Sequence, residues 1–360
     1  MLKERIARSI KLAIDEALQI GAEYRYRSEL SENLNCSLSQ LHKGAACMLT
    51  CSGAAAMEVA LRASKVGAKS EVILSAYDYP GNFWAIERVG ARPVLVDVVE
   101  QSWSIDIGKL EAARTAETQA MIVSHLHGEL QDVRGIRKWA DRYGITLIED
   151  ACQALGATIE KHPVGTFGHF GVLSFGGGKV LSAGRGGALL AEDEELLQRA
   201  RIAAGAGSGP YELSELQSAV ILAQLAYLPE ITQQCRKYFF ELQQQLVAAG
   251  LELRFPSHRQ IGETAYYQAG WIVNTDESKR GAVAQAVVER LQVKGISAGR
   301  GFAGFHRRSE RRCRHVDALQ RVAGVVDATW VIHHSAAIQA IVPAAELAAE
   351  IAVAQSNVKG

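Results

Sequence analysis

The chain has 360 residues, 48% of them apolar and 22% charged, with 33 glycines spread along its length, a globular balance that excludes disordered and fibrous architectures. Lys plus Arg and Asp plus Glu number 39 each, so no global basic field exists to hold nucleic acid or an anionic membrane, and any anion site must be local. A chain of this size is expected to form about two domains of roughly 150 residues, with a core that needs no disulfide or metal staple.

The N-terminal stretch MLKERIARSIKLAIDEAL alternates charged and apolar residues at helical spacing. It lacks the apolar run of a signal peptide, and no stretch approaches the ~20 apolar residues of a membrane span. A soluble, cytoplasmic protein is expected. Cys36, Cys47, Cys51, Cys152, Cys235 and Cys313 form no CxxC pair and have no histidine at zinc-ligand spacing, which argues for reduced thiols and no metal ribbon.

From residue 47 to about 192, short apolar runs recur: EVILSA (71–76), RPVLVDV (92–98), AMIVSHL (120–126), ITLIED (145–150), HFGVLSF (169–175) and GGALLAE (186–192). Runs of this kind read as buried strands of a mostly parallel sheet. AMEVALRASKVG, NFWAIERVG and DVRGIRKWADRYG lie between them, with apolar residues three and four apart and glycines suited to helix C-caps. Repeated strand–helix–strand units predict an α/β domain with a large doubly wound sheet. Residues 211–249 keep a helical period with a break expected at Pro229, and read as a spine. LELRFP, YYQAGWIVN and AVAQAVVERLQVKG then predict a smaller α+β domain. The expected division is 1–249, including the N-terminal helical segment, and 250–360.

In such sheets ligands bind beyond the carboxyl ends of the strands, and four places there stand out. Ser52 and Gly53 open the helix in CSGAAAMEVAL, whose free N–H groups outline a phosphate cradle; an N-cap serine before a core helix explains the same residues. SAYDYPGNFW puts Tyr77 and Tyr79 past a strand end, where an aromatic can stack on a flat ring or cap a core. Asp150 ends ITLIED, followed by Cys152 and Gln153; a carboxylate there needs a cation or several donors, such as a protonated ring nitrogen or a helix start. LSFGGGKVLSAGRGG holds Lys179 in a glycine-rich return. Leu173 and Val180 stand where a phosphate loop needs Gly and Ser or Thr, whereas a desolvated lysine can form a Schiff base. Phosphate cradle, stacking aromatic, carboxylate and lysine together are the set that pyridoxal phosphate needs.

At IEDACQALGA, PVGTFGHFGVLSF, KVLSAGRGGALL and SELQSAVILAQLAYL the sequence resembles the DegT/DnrJ/EryC1/StrS sugar aminotransferases, a branch of the fold type I (aspartate aminotransferase-like) pyridoxal phosphate enzymes. It is especially similar to the cyclitol aminotransferase and aminohydroxybenzoate synthase subgroup. The resemblance implies that Lys179 bonds the cofactor and moves protons, that Asp150 pairs with the pyridine nitrogen, and that Gln153 lies beside the ring hydroxyl. It further implies Tyr79 as the stacking aromatic, Ser174 as a phosphate hydroxyl, and the amides of Gly53, Ala54 and Ala55 at the phosphate. The implied reaction moves an amino group from glutamate or glutamine to a keto sugar, nucleotide-linked or free, or a keto cyclitol, in a homodimer whose site lies between subunits. Five positions depart from the family: Ala54 stands for Thr, Arg185 for Glu, Gly176 for His or Gln, and Pro210 and Glu212 for Asn and Arg. Arg185 thus becomes a substrate-side candidate.

Other readings remain open on the residues. FHRRSERRCRH (305–315) offers Arg307 and Arg308 as a grip for a sugar-nucleotide diphosphate, or as a solvated loop. A regulatory family member keeping the cofactor without efficient amino transfer is one alternative. From another class, His125 and His127 in HLHGE suggest a metal-dependent hydrolase, and GAGSG (205–209) a dinucleotide fingerprint, although Pro210 stands where its last glycine belongs.

Overall fold

A computed structural model describes residues 2–205, 209–251, 253–255, 261–339 and 342–359; residues 206–208 of GAGSG lie outside the described residues. Each apolar run forms its strand. Glu71–Ser75, Arg92–Val96, Thr118–Ser124, Thr146–Asp150 and Phe170–Ser174 pair in parallel, while Gly187–Ala191 is antiparallel to both of its neighbours. The eight-stranded order is Ala46–Thr50, Gly187–Ala191, Phe170–Ser174, Thr146–Asp150, Thr118–Ser124, Glu71–Ser75, Arg92–Val96, Arg314–His315. Both terminal strands of this sheet escape the sequence reading. ACMLT is only partly covered, so it lacks the apolar signature of a buried strand, and Arg314–His315 is held from far along the chain.

Helices follow the expected punctuation. Ser52 Oγ accepts the Ala55 N–H to cap Gly53–Ala63, Pro80 opens Pro80–Arg88, and Asp132 caps Val133–Arg142. The spine divides into Glu215–Leu225, which starts with a Ser214/Gln217 capping box, and Leu228–Ala248. The break falls at 226–227 rather than at Pro229, because a proline in the first turn forfeits no helical hydrogen bond.

Leu253–Arg254, Gln268–Val273, Thr329–His333 and Ala298–Arg300 form a second, antiparallel sheet, where the buried Trp271 and Trp330 rings stack with centroids 4.6 Å apart. The chain then returns to the first sheet: Phe305 N–H donates to Ala76 O at 2.7 Å and Val316 N–H to Leu95 O at 3.1 Å. Among the described residues no helix is long and apolar enough to cross a membrane.

The winding direction reverses beside Glu71–Ser75. The chain passes outward from that strand to Arg92–Val96 and then crosses back to Thr118–Ser124 on the other side. Strands that diverge in this way leave a crevice at their carboxyl ends, where α/β sheets bind ligands.

Candidate functional site

Buried polar side chains gather at the crevice, among them Asp78, Asn82, Ser124, Asp150 and Gln153. Asp150, at the end of its strand, accepts from Asn82 Nδ2 at 2.8 Å on Oδ2 and from the Cys152 N–H at 2.9 Å on Oδ1. Two donors of this kind offset the desolvation of a buried carboxylate. Asn82 comes from the first turn of Pro80–Arg88, and its amide nitrogen also reaches Ser124 Oγ at 3.1 Å and Asp78 Oδ1 at 3.2 Å. Tyr79, the residue before that helix, is 46% exposed with its ring 5.8 Å from Phe302. Burial pushes its hydroxyl pKa up, with Cys152 and Asp150 acting in the same direction. Tyr77 is fully buried, its hydroxyl shared with His127 Nε2 at 3.0 Å and the Phe302 N–H at 2.9 Å. Of the two tyrosines only Tyr79 can present a ring face to a ligand.

Lys179 is carried by a return that backbone bonds hold closed: Gly177 N–H to Gly184 O at 3.0 Å, Lys179 N–H to Gly176 O at 3.1 Å and Ala183 N–H to Phe175 O at 3.1 Å. Gln224, from Glu215–Leu225, braces it by accepting from Ser182 N–H at 3.0 Å and donating to Ser182 O at 2.9 Å. Lys179 Nζ sits 4.1 Å from the centroid of the Tyr267 ring. Burial lowers its proton affinity, and the charges of Cys152 and Asp150 oppose that shift. His333 Nε2 lies 2.7 Å from Gly178 O and His334 lies 4.1 Å from His333 between ring centroids. Burial, with His333 beside it, takes the His334 pKa down to about 3.

At the start of Gly53–Ala63 the chain is packed tightly enough to require glycine. A Cβ on Gly53 would lie 3.0 Å from both Cys152 Sγ and Ser174 Cβ. Ser174 Oγ accepts the Gly176 N–H at 3.4 Å, and Ser174 Cβ borders Gly53, the first residue of the helix. Of the three amides assigned to a phosphate, Ala55 already donates to Ser52 Oγ at 3.1 Å. Gly53 and Ala54 are the remaining pair. Gln153 is buried, and its Oε1 accepts the His127 N–H at 3.2 Å.

Lys179, Asp150 and Tyr79 thus lie within electrostatic reach of Cys152, whose Sγ, like Ser174 Cβ, borders the space beside Gly53. The structure does not gather the arginines. Arg185 is exposed on the glycine-rich return, where its carbonyl accepts from Gln217 Nε2 at 3.2 Å. Arg307 is exposed and the Arg308 guanidinium lies 5.6 Å from the centre of the Phe83 ring. In the same run, Arg312 Nε donates to Glu87 at 2.8 Å and Arg314 Nε to Glu71 at 2.8 Å. Two of its five arginines therefore fasten the segment, one to the helix Pro80–Arg88 and one to the strand Glu71–Ser75.

The two histidines of HLHGE do not share an ion. His125 Nδ1 accepts the Gln131 N–H at 3.1 Å, which puts the ring proton on Nε2, where it meets Glu149 Oε1 at 3.0 Å. Both nitrogens are committed. His127 instead faces Tyr77, with its backbone at φ 54 and its pKa taken down to about 3 by burial. The described residues contain no group of three or more potential metal ligands, and the hydrolase reading loses its geometric basis. Sequence reasoning missed Asn82, Asp78, Phe302, Tyr267, His333 and His334. A pair of histidines directly after the apolar strand TWVI was the available signal for the last two.

The model of the DegT/DnrJ/EryC1/StrS aminotransferase family matches residues 5–312. The L-glutamine:2-deoxy-scyllo-inosose aminotransferase of Micromonospora echinospora is 32% identical over 315 residues, 79% of this chain and 75% of that protein. The pleiotropic regulatory protein of Geobacillus stearothermophilus is 36% identical over 197 residues, 52% of this chain and 53% of that protein. The crystal structure of 3-amino-5-hydroxybenzoic acid synthase superposes with a TM-score of 0.84 at 24% identity, over 97% of each chain, and has the same fold.

Proposed function

Since the chain belongs to the DegT/DnrJ/EryC1/StrS aminotransferase family and is a pyridoxal phosphate-dependent aminotransferase, we propose that it transfers an amino group from glutamine or glutamate to a keto cyclitol or a keto sugar. The observation that carries this reading is that Asp150, at the end of Thr146–Asp150, and Lys179, on the return after the paired strand Phe170–Ser174, lie past the carboxyl ends of adjacent strands. The donor set suits the cofactor: the Gly53 and Ala54 amides with Ser174 Oγ for a phosphate, Asp150 for a protonated ring nitrogen, Tyr79 for a ring face, and Lys179 for an aldehyde. When bound, that group supplies an electrophilic carbon and a ring that withdraws electrons from the bond being broken.

The chain's own residues divide the remaining work. Lys179 Nζ, its proton affinity lowered by burial, holds the cofactor and, once released, accepts and returns a proton at the substrate carbon. Asn82 and the Cys152 N–H hold the Asp150 carboxylate in place, where it would favour a proton on the ring nitrogen of the bound cofactor. Tyr267 gives the lysine's ammonium an aromatic face to rest on when it is free.

A homodimer is part of the proposal. Leu12, Leu18, Ile20, Tyr24 and Tyr26 are exposed near the N-terminus, apolar surface that a second copy would cover. Sedimentation velocity at micromolar protein should give twice the chain's mass, and a monomer would remove this element. Six free cysteines suit a reducing compartment, which supports a cytoplasmic enzyme.

The test of function is the visible absorbance of the cofactor-loaded protein before and after glutamine or glutamate. A spectral shift on adding either donor is expected. A spectrum that stays fixed with both would refute amino transfer and favour the regulatory reading, in which the cofactor is kept without the reaction.

A further inference from the structure

Asp78 lies between the end of Glu71–Ser75 and the start of Pro80–Arg88 and is completely buried. Its Oδ1 accepts the Tyr79 N–H at 2.6 Å and Asn82 Nδ2 at 3.2 Å, while Oδ2 has no partner among the described residues. Asn82 Nδ2 carries two hydrogens and has three acceptors around it, and the shortest contact, at 2.8 Å, goes to Asp150. Two buried carboxyl groups therefore share one neutral donor.

Two adjoining carboxylates in a low dielectric do not both remain charged. Their surroundings differ. Asp150 receives the shorter Asn82 contact and the Cys152 N–H, and its charge acts on the ammonium of Lys179. The titratable groups facing Asp78 are Asp150 and Cys152, neither of them a cation, with Tyr77 and Tyr79 adjoining it in the chain. A void of about 10 Å³ beside Asp78 is lined by Ser75, Ser124 and Gln131 together with the side chains of Tyr77, Trp103, Ile105, Ile122 and Val123, at the lower limit of what one water molecule requires.

We propose that Asp78 is a positioning residue held as a neutral carboxylic acid, which anchors Asn82 against Asp150 and leaves the charge of the pair on Asp150. Burial first, and then the charge of Asp150, push the Asp78 pKa up to about 8, in keeping with that arrangement. The pair follows a pattern common to acid–base sites, in which neighbouring groups are driven apart in proton affinity so that one is charged and the other neutral. The assignment of a purpose to Asp150 rests on the cofactor reading above; the protonation state of Asp78 does not.

Infrared spectroscopy of the cofactor-free protein separates the two. A protonated carboxylic acid contributes a carbonyl band at neutral pH, and a component of it is expected to fade as pH rises through about 8 and to be lost in Asp78→Asn, apart from any contribution of Glu129, whose pKa burial also raises. A parent spectrum without that component, or a band of undiminished intensity in Asp78→Asn, overturns the proposal even if the protein is a transaminase. Cofactor titration then tests the anchoring. Asp78→Asn retains an oxygen for the Asn82 amide and Asp78→Val does not, so the valine variant should bind pyridoxal phosphate about tenfold more weakly than the asparagine variant, the equivalent of one lost hydrogen bond. Equal affinities would overturn the anchoring role, provided that both variants show the parent's far-ultraviolet circular dichroism. If cofactor fails to bind the parent while the infrared band is present, the cofactor reading fails and the neutral Asp78 stands.

Discussion

Asp150→Ala is expected to lower kcat by about 100-fold or more, the scale on which a preorganised electrostatic partner of a reacting group acts, while leaving cofactor attached through Lys179. The carboxylate stands at the end of Thr146–Asp150, fixed by Asn82 at 2.8 Å and the Cys152 N–H at 2.9 Å. In the alanine variant these donors lose their acceptor and the ring nitrogen loses the anion that favours its proton. Asp150→Asn preserves the shape and removes the charge, so a similar loss in both variants assigns the effect to charge. Steady-state rates with glutamine as donor provide the measurement; turnover equal to the parent's in Asp150→Ala would take this residue out of the reaction.

The second large effect is on stability and comes from the preceding residue. Glu149 is fully buried and accepts the N–H groups of Gly165 at 2.7 Å, Phe167 at 2.8 Å and Gly168 at 3.1 Å, besides its contact with His125. The loop 165–168 therefore has no freedom to drift from the strand. A Cβ on Gly171 would fall only 1.9 Å from Gly165 O, so the backbones touch with no side chain between them. Glu149→Ala leaves four donors, the three N–H groups and His125 Nε2–H, without their acceptor at about 1–3 kcal/mol each, with partial relief from water. A net loss of about 3–5 kcal/mol follows, and the melting temperature should fall by about 5–10 °C. Calorimetry checks it, and a change of under a degree would show that the loop finds other acceptors. Because Glu149 faces away from Asp150 along the strand, the surviving folded protein should retain its cofactor spectrum.

What was legible in the sequence and what was not divides along physical lines. Strands buried on both faces announce themselves as apolar β-branched runs, and all six so read are present. Ala46–Thr50 is partly exposed and Arg314–His315 is two polar residues, so neither carries that signature. Asp150 was legible because a carboxylate ending an apolar strand is costly without a reason. Asn82 and Asp78 were not, because the Asn82 contacts that join Asp78 to Asp150 exist only once the end of Glu71–Ser75, the helix after it and the strand Thr146–Asp150 are placed together. Tyr267, His333 and His334 reach the lysine from the second sheet, from positions about 90 to 155 residues distant in sequence, and no local pattern encodes that approach. The arginine run shows the converse. Its charge was plain, but the carboxylates that neutralise Arg312 and Arg314 lie 225 and 243 residues away.

The role of Lys179 is open to direct chemical test. Protein incubated with pyridoxal phosphate, reduced with borohydride and digested should yield, by mass spectrometry, a phosphopyridoxyl group on Lys179 Nζ, and the Lys179→Ala protein should yield none at that peptide. Parent protein that remains colourless and unlabelled, or that carries the label on a different lysine, would contradict the assignment of Lys179 as the residue that binds the cofactor.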